Sequence, residues 1–358
     1  MNRPVNFSAG PSAIPLEVLQ ALAADMLNYK GTGLSLIEVS HRGKTYEEVH
    51  NQALSLVREL LKVPESHSVL LIGGGATLQF SMLPMNLCPP NGCADYVRSG
   101  VWADKAIAEA GKIGRVNILW DGKENGYTAL PTPAAIKASP NSCYLHITSN
   151  ETIGGVQWKS FPEAAVLAAD MSSDIFTRPI DVSQFGLIYA GAQKNFGPAG
   201  VTLVIIRNNL LKHSPDSLPS YLSYAVHAKA NSLYNTPPVF SIWAMKLVLE
   251  NLKAKGGIEA AEKRNTAKAA ELYRAIDESN GFYLSPVQKE ARSPMNIVWR
   301  LADENREAEF LKKAAEAGLE GLKGHRSVGG CRASLYNAVT LDGVKKLTAF
   351  MKQFEDAS

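Results

Sequence analysis

The sequence predicts an α/β protein: a large domain built on a mostly parallel, seven-stranded sheet flanked by helices, and a small α+β domain at the C-terminal end. Three observations carry this. Seven short apolar runs alternate with helical stretches between Ser68 and Arg207, and strands joined through helices make a parallel sheet covered on both faces. After Ile242 the texture changes to long, charged, amphipathic helices. The chain of 358 residues, 46% hydrophobic and 20% charged, holds enough apolar material for one large core and a second, smaller one.

Taken in order, Pro15 followed by Val18, Leu19, Leu22 and Met26 reads as an amphipathic helix with proline in its first turn, stopped by Gly31 and Gly33. A second helix is predicted from Tyr46 to Leu61. The seven strand candidates are Ser68 to Ile72, Asp95 to Arg98, Val116 to Leu119, Cys143 to Thr148, Val166 to Asp170, Leu187 to Ala190 and Val201 to Arg207. Helices follow at Trp243 to Lys253 and Ile258 to Ser279, broken by Gly256 and Gly257. A strand around Met295 to Leu301, a helix around Glu307 to Ala317 and a closing helix from Leu341 to Phe354 complete the small domain. The division expected is an N-terminal arm, 1–15, a large domain, 16–255, and a small domain, 256–358.

Charge and composition narrow the function. A net charge of +3, with no consecutive run of Lys and Arg, gives no footprint for nucleic acid. No apolar stretch is long enough to cross a bilayer, and the N-terminal residues lack a signal-peptide core and a transit pattern. Cys88, Cys93, Cys143 and Cys331 form no Cys-x-x-Cys pair and no zinc-type cluster with His. A cytoplasmic protein with reduced thiols and no metal is the expectation.

The run Leu187-Ile-Tyr-Ala-Gly-Ala-Gln-Lys-Asn-Phe-Gly-Pro-Ala-Gly200 places one lysine, Lys194, between two apolar strands among small residues. Small neighbours leave room for a bulky cofactor, and an amine desolvated there has the lowered pKa that Schiff-base chemistry requires. Alone, a loop lysine is as easily a solvated one. One strand earlier, Ala165-Val-Leu-Ala-Ala-Asp170 ends in a carboxylate at a strand's carboxyl end, where ligands of open α/β sheets bind. Alone, Asp170 reads better as a helix N-cap than as a cofactor partner. Together the pair offers an imine-forming amine and an anion that keeps a pyridine nitrogen protonated, the two needs of pyridoxal phosphate. The run Gly73-Gly-Gly-Ala-Thr-Leu-Gln-Phe80 follows a strand and precedes a predicted helix, which points backbone N–H groups at an anion. It is neither a Walker loop nor a Gly-x-Gly-x-x-Gly fingerprint.

Longer segments carry a resemblance. They are Asn6-Phe-Ser-Ala-Gly-Pro11, Glu38-Val-Ser-His-Arg-Gly43, Asn150-Glu-Thr-Ile153, Ser173 to Asp181, Tyr189 to Gly200, Tyr234-Asn-Thr-Pro-Pro238, Lys323 to Gly330 and Arg332 to Ala338. In these, across nearly the whole chain, the sequence resembles the phosphoserine aminotransferase family, fold-type I enzymes of the class V aminotransferase group. The resemblance implies that pyridoxal 5'-phosphate is the cofactor, that Lys194 forms the Schiff base and that Asp170 pairs with the pyridine nitrogen. It further implies that Trp102 stacks on the ring and Thr152 bonds near the phenolic oxygen. The cofactor phosphate would be held by Ala76, Thr77 and Gln193, and by Asn235 and Thr236 of the partner subunit, so a homodimer with a composite site is implied. One departure is visible: some members carry Arg after the glycine run, where this chain has Ala76-Thr77, and backbone N–H groups remain to do the binding.

By the same resemblance Arg332 clamps the substrate α-carboxylate. His41 and Arg42, with His325 and Arg326 of the partner, face the substrate's other anionic end, because arginine forks suit carboxylate and phosphate oxygens. The implied reaction exchanges amino and keto groups between glutamate and 3-phosphohydroxypyruvate, with a longer phosphorylated substrate of pyridoxine biosynthesis as a second role. Three alternatives stand beside it: alanine–glyoxylate transamination, cysteine desulfuration, which wants a mobile catalytic cysteine that no motif here supplies, and a silent phosphate- or nucleotide-binding module built on the loop after Ile72.

Overall fold

In the computed structural model, which describes residues 3–357, the strands in chain order are β1 (Val5–Asn6), β2 (His67–Ile72), β3 (Cys93–Arg98), β4 (Arg115–Asp121), β5 (Ser142–Thr148), β6 (Leu167–Asp170), β7 (Leu187–Gly191), β8 (Thr202–Arg207), β9 (Tyr283–Leu284), β10 (Asn296–Leu301), β11 (Leu319–Glu320) and β12 (Cys331–Ser334). The helices are α1 (Leu16–Asp25), α2 (Lys44–Leu61), α3 (Gly75–Leu87), α4 (Val101–Ala110), α5 (Tyr224–Lys229), α6 (Val239–Ala254), α7 (Gly257–Asp277), α8 (Glu307–Glu316) and α9 (Leu341–Asp356). All seven strand candidates up to Arg207 are strands.

They form one seven-stranded sheet in the order β2-β8-β7-β6-β5-β3-β4. β8 runs antiparallel to both its neighbours, and every other pairing in the sheet is parallel. The reversal follows from chain length: Ala192 to Val201 is too short for the crossover that a parallel strand needs, so β8 returns beside β7 as a hairpin partner. Lys194 sits in that connection.

Period-two alternation divides each apolar run between two cores. Val69, Leu71, Leu167, Ala169, Ile188, Ala190, Leu203 and Ile205 face a core closed by α2, α6 and the start of α7. Leu70, Ile72, Ala168, Leu187, Tyr189, Val204 and Ile206 face the core under α3, α4 and Tyr224 of α5. Continuous apolar strands are the signature of this double coverage.

A third core joins α7, α8 and α9 to an antiparallel sheet of order β12-β10-β9. α7 spans two cores, with Ile258 and Ala261 in the first and Leu272 and Ile276 in the third. Gly256 and Gly257 adopt φ of +91° and +69°, the break that the sequence places between α6 and α7. The change of texture after Ile242 falls inside α6, which begins at Val239, because Pro238 precedes a helix without any N–H to lose. The N-terminal arm is stitched to the C-terminal part: β1 pairs in parallel with β11, and Phe7 is fully buried in the third core. None of the described helices is long and apolar enough to cross a membrane.

Candidate active site

β2, β3, β5, β6 and β7 point the same way, so their carboxyl ends open onto one edge, where an open α/β sheet binds ligands. Each strand delivers a functional segment there. Gly73 to Thr77 follows β2, Ser99 to Trp102 follows β3, Ser149 to Thr152 follows β5, Asp170 closes β6, and Gln193 and Lys194 follow β7.

Lys194 is the centre of the cluster. Its Nζ lies 2.6 Å from Thr152 Oγ1 and 5.4 Å from the centroid of the Trp102 ring. Burial lowers the amine to about 8 from its ordinary 10.5, assisted by the charge of Arg332 and opposed by the Asp170 and Glu151 carboxylates. The N-terminal arm supports it from behind: Ser12 donates its hydroxyl to the Lys194 carbonyl and its N–H to Gln193 O at 3.0 Å. A Cβ on Gly10 would stand 3.5 Å from Lys194 Cγ, so the arm packs directly on the lysine stem.

Asp170 is buried, and one carboxylate oxygen accepts the Ser172 N–H at 2.9 Å. It caps no helix, since the chain beyond it runs through turns. Burial raises its carboxyl, and the nearby Lys194 charge opposes that shift. Close by, Asp174 is buried under Ser149 Oγ, Gln157 Nε2 at 3.2 Å and Arg178 at 3.5 Å.

Trp102 begins α4. Its half-buried ring has Lys105 Nζ 4.3 Å from the centroid, and its Nε1 is buried without a partner. Beneath it lies Glu151, fully buried and pushed up to about 7 by that burial.

Arg332, from β12, reaches across from the small sheet and donates Nη1 to Thr152 O at 3.2 Å. Its Nε is buried with no partner. A polar seam fixes this crossing: Asn150 Nδ2 donates to Asn296 Oδ1 at 2.8 Å, Asn296 Nδ2 donates to Ser334 Oγ and Tyr336 Oη at 2.9 and 3.1 Å, and Tyr336 Oη donates to Ala9 O at 2.9 Å.

Ala76 and Thr77 occupy the first turn of α3, where backbone N–H groups have no helical acceptor. Gly74 makes that turn possible, with φ of +96° and the Leu78 side chain where a Cβ would stand, at 2.5 Å. Gln193 is half-buried, folded over Gly191.

The chain thus brings Lys194, Thr152, Trp102, Asp170 and Arg332 together. It does not bring the remaining predicted residues into those contacts. Asn235 and Thr236 are exposed, and the Asn235 amide bonds only as far as Thr236 O, at 3.0 Å. Arg42 and Arg326 are exposed. His325 bonds Ser327 Oγ at 2.7 Å and is lowered by burial and by the charges of Arg332, Arg326 and Lys105. His41 is half-buried, with Nε2 buried and unpartnered. Sequence reasoning missed Glu151, Asp174 and Tyr336. Glu151 had a signal, an acidic residue directly before Thr152 in a motif that closes a buried strand.

These residues fit pyridoxal phosphate: a desolvated primary amine, a buried carboxylate, an aromatic face, a hydroxyl at the amine and a helix N-terminus for an anion. Trp102 Nε1 and Arg332 Nε are buried without a partner, two donors free for polar ligand atoms.

Comparison with known proteins agrees. The Aminotransferase class-V family model matches residues 5–347. The chain is similar to the phosphoserine aminotransferase of Geobacillus kaustophilus (strain HTA426), 53% identical over 355 residues and covering 99% of each chain. Among solved structures it is similar to the phosphoserine aminotransferase of Bacillus circulans subsp. alkalophilus, with a TM-score of 0.98 and 48% identity over 100% of this chain and 99% of that one. It is also similar to the PLP bound phosphoserine aminotransferase of Trichomonas vaginalis, with a TM-score of 0.93 and 38% identity over 98% of this chain and 100% of that one.

Proposed function

The chain belongs to the class V aminotransferase family, whose cofactor is pyridoxal 5'-phosphate, and from that premise we propose that it transfers the amino group of glutamate to 3-phosphohydroxypyruvate, giving O-phosphoserine and 2-oxoglutarate. The observation that carries the reading is Lys194 Nζ against Thr152 Oγ1 at 2.6 Å, with Asp170 and Trp102 around it and a pKa of about 8.

The cofactor, when bound, supplies the electron sink that makes a substrate Cα–H acidic. Everything else falls to the chain. Lys194 would hold the cofactor, and its Nζ, once free and neutral, would carry the proton between the substrate Cα and the cofactor C4′ in each half-reaction; an amine titrating near 8 suits both the taking and the giving. Asp170 would face the ring nitrogen as an anion: burial works against its charge, and the Lys194 charge and the Ser172 N–H at 2.9 Å favour it. Thr152 steadies the amine at 2.6 Å and would offer its hydroxyl to the cofactor ring oxygen. Ala76, Thr77 and Gln193 would hold the cofactor phosphate.

Arg332 binds the α-carboxylate shared by every amino and oxo acid. His41 and Arg42, together with His325 and Arg326 contributed by a second copy of the chain, bind the distal anion. Asn235 and Thr236 likewise complete the phosphate site of the other copy, which makes the enzyme a homodimer. The exposure of Asn235 and Thr236 supports that assignment. The division keeps an arm, 1–15, a large domain, 16–255, and a small domain, 256–358; the third core, formed largely by residues from Ala269 onward, supports a distinct C-terminal unit, to which the arm adds Phe7. A cytoplasmic location belongs to the same reading.

The test is a substrate panel. The purified protein should show visible cofactor absorbance and, with glutamate as donor, prefer 3-phosphohydroxypyruvate to pyruvate and glyoxylate. Including the longer phosphorylated oxo acid of the hydroxythreonine step measures the second role in pyridoxine biosynthesis. A preference for pyruvate or glyoxylate would replace the phosphoserine reading with a general class V aminotransferase.

A further inference from the structure

Glu151 is a buried acid for which the proposed chemistry has no use. It sits between Asn150, in the polar seam, and Thr152, at the Lys194 amine, yet its own side chain turns the other way, toward α4. One carboxylate oxygen accepts the Trp102 N–H at 3.1 Å, and the other accepts the Ala103 N–H at 3.0 Å and the Ser99 hydroxyl at 3.3 Å. These are donors that a helix start leaves unsatisfied, and a carboxylate there also meets the positive end of the helix dipole.

Gly100 makes the approach possible. A Cβ at that position would stand 2.5 Å from the Glu151 carboxyl carbon and 2.7 Å from one of its oxygens. The φ of Gly100 is 170°, extended backbone that any residue adopts, so glycine is required for the contact and not for the fold of the turn. The carboxylate is 0% exposed, and nothing on α4 itself supplies the cap.

We infer that Glu151 is a positioning residue for the transamination, its carboxylate clamping the first turn of α4 so that the Trp102 ring faces the Lys194 amine where the cofactor ring lies. The clamp ties two strand ends together: Glu151 follows β5 and Trp102 follows β3. The same segment, Asn150 to Thr152, then sets both the hydroxyl 2.6 Å from the amine and the aromatic ring whose centroid lies 5.4 Å from it. This rests on the reading of Trp102 as the ring-stacking residue, and the experiment separates the two.

Glu151→Gln keeps the volume but turns one acceptor into a donor facing an N–H. Gly100→Ala leaves the carboxylate intact and pushes it off the helix. Each is compared with Trp102→Ala, and Glu151→Gln is also combined with it. Cofactor is titrated into the apo-protein to obtain the dissociation constant, and the circular dichroism that the bound cofactor acquires in its visible band is recorded. Both single variants should weaken cofactor binding about tenfold, which is about 1.4 kcal/mol, and diminish the dichroism. Adding Glu151→Gln to Trp102→Ala should change neither further, because the two act through one contact.

Cofactor binding and dichroism at wild-type values in Glu151→Gln and Gly100→Ala, or additive losses in the double variant, overturn the inference and leave Trp102 in place. Wild-type binding by Trp102→Ala overturns the reading of Trp102 and the inference with it. A lowered thermal midpoint of the apo-protein with unchanged dichroism in both single variants marks Glu151 as a structural cap alone and overturns the positioning role.

Discussion

Replacing Arg332 with Ala tests how the two halves of the site meet. Arg332 spends Nη1 on Thr152 O at 3.2 Å. The opposite side of the guanidinium, Nε with Nη2, is the edge that grips a carboxylate through two parallel bonds. Nε is buried with no partner, so that donor has already lost its water before any ligand arrives, and a carboxylate that reaches it supplies the missing acceptor. Two charge-assisted bonds at about 1.5 kcal/mol each amount to about 3 kcal/mol. At about 1.4 kcal/mol per tenfold, kcat/KM should fall about 150-fold. Because every amino and oxo acid presents the α-carboxylate, the loss should be similar for glutamate, 2-oxoglutarate and the phosphorylated substrate. Arg332→Lys keeps the charge without the fork and should recover part of the loss. The assay is steady-state kinetics on each substrate, with the cofactor absorbance of each variant confirming that Thr152 and Lys194 remain in place. A change of less than about threefold, or a loss confined to the phosphorylated substrate, would refute the reasoning.

Lys194→Ala should abolish the visible absorbance and turnover together; a variant that transaminates normally would sink the assignment of the amine. In the apo-protein, labelling of Lys194 by an amine-directed reagent should rise with pH and level off above about 8, since the lowered amine is neutral there, and a midpoint near the ordinary 10.5 would count against burial as the cause. Asp170→Asn removes a carboxylate that holds this amine up, so the same midpoint should move lower, while single-turnover proton abstraction slows by about three powers of ten for want of an anion at the ring nitrogen; an unchanged rate would exclude that role. Arg42→Ala and Arg326→Ala should each raise KM for 3-phosphohydroxypyruvate about ten- to a hundredfold and affect unphosphorylated oxo acids less, because a phosphomonoester carries nearly two charges, and equal losses on both would remove the phosphate assignment. Sedimentation should find a dimer whose dissociation weakens cofactor binding; a fully active monomer would dismiss the composite site.

Much of the frame was legible in the sequence because it is local. A run such as Leu187 to Gly191 is apolar at every position whichever neighbours it finds, since both faces of the sheet are covered, and the strands from His67 to Arg207 were marked within two residues at each end. Lys194 and Asp170 could be singled out because each is an isolated charge at the end of such a run, where the topology of an open sheet puts ligands. The long helices α7 and α9 declared themselves by period.

The rest depended on contacts between residues far apart in the chain. β1, β9, β11 and β12 have two to four residues each and are held by partners rather than by pattern, as when Val5 pairs with Leu319. Glu151 could be noticed for its place before Thr152, but its role needed Gly100, 51 positions earlier, to bring the start of α4 down on its carboxylate. Arg332 could be read as a cation but not as one with Nη1 on Thr152 O and a buried, unpartnered Nε, because that placement exists only after β12 is laid along β10 and the Asn150–Asn296 bond closes the seam. Hydrophobic period is written into neighbouring residues and fixes which elements form. Desolvation, and with it the lowered amine of Lys194, arises only when those elements enclose a charge from several sides, so the chemistry of the site belongs to the tertiary structure.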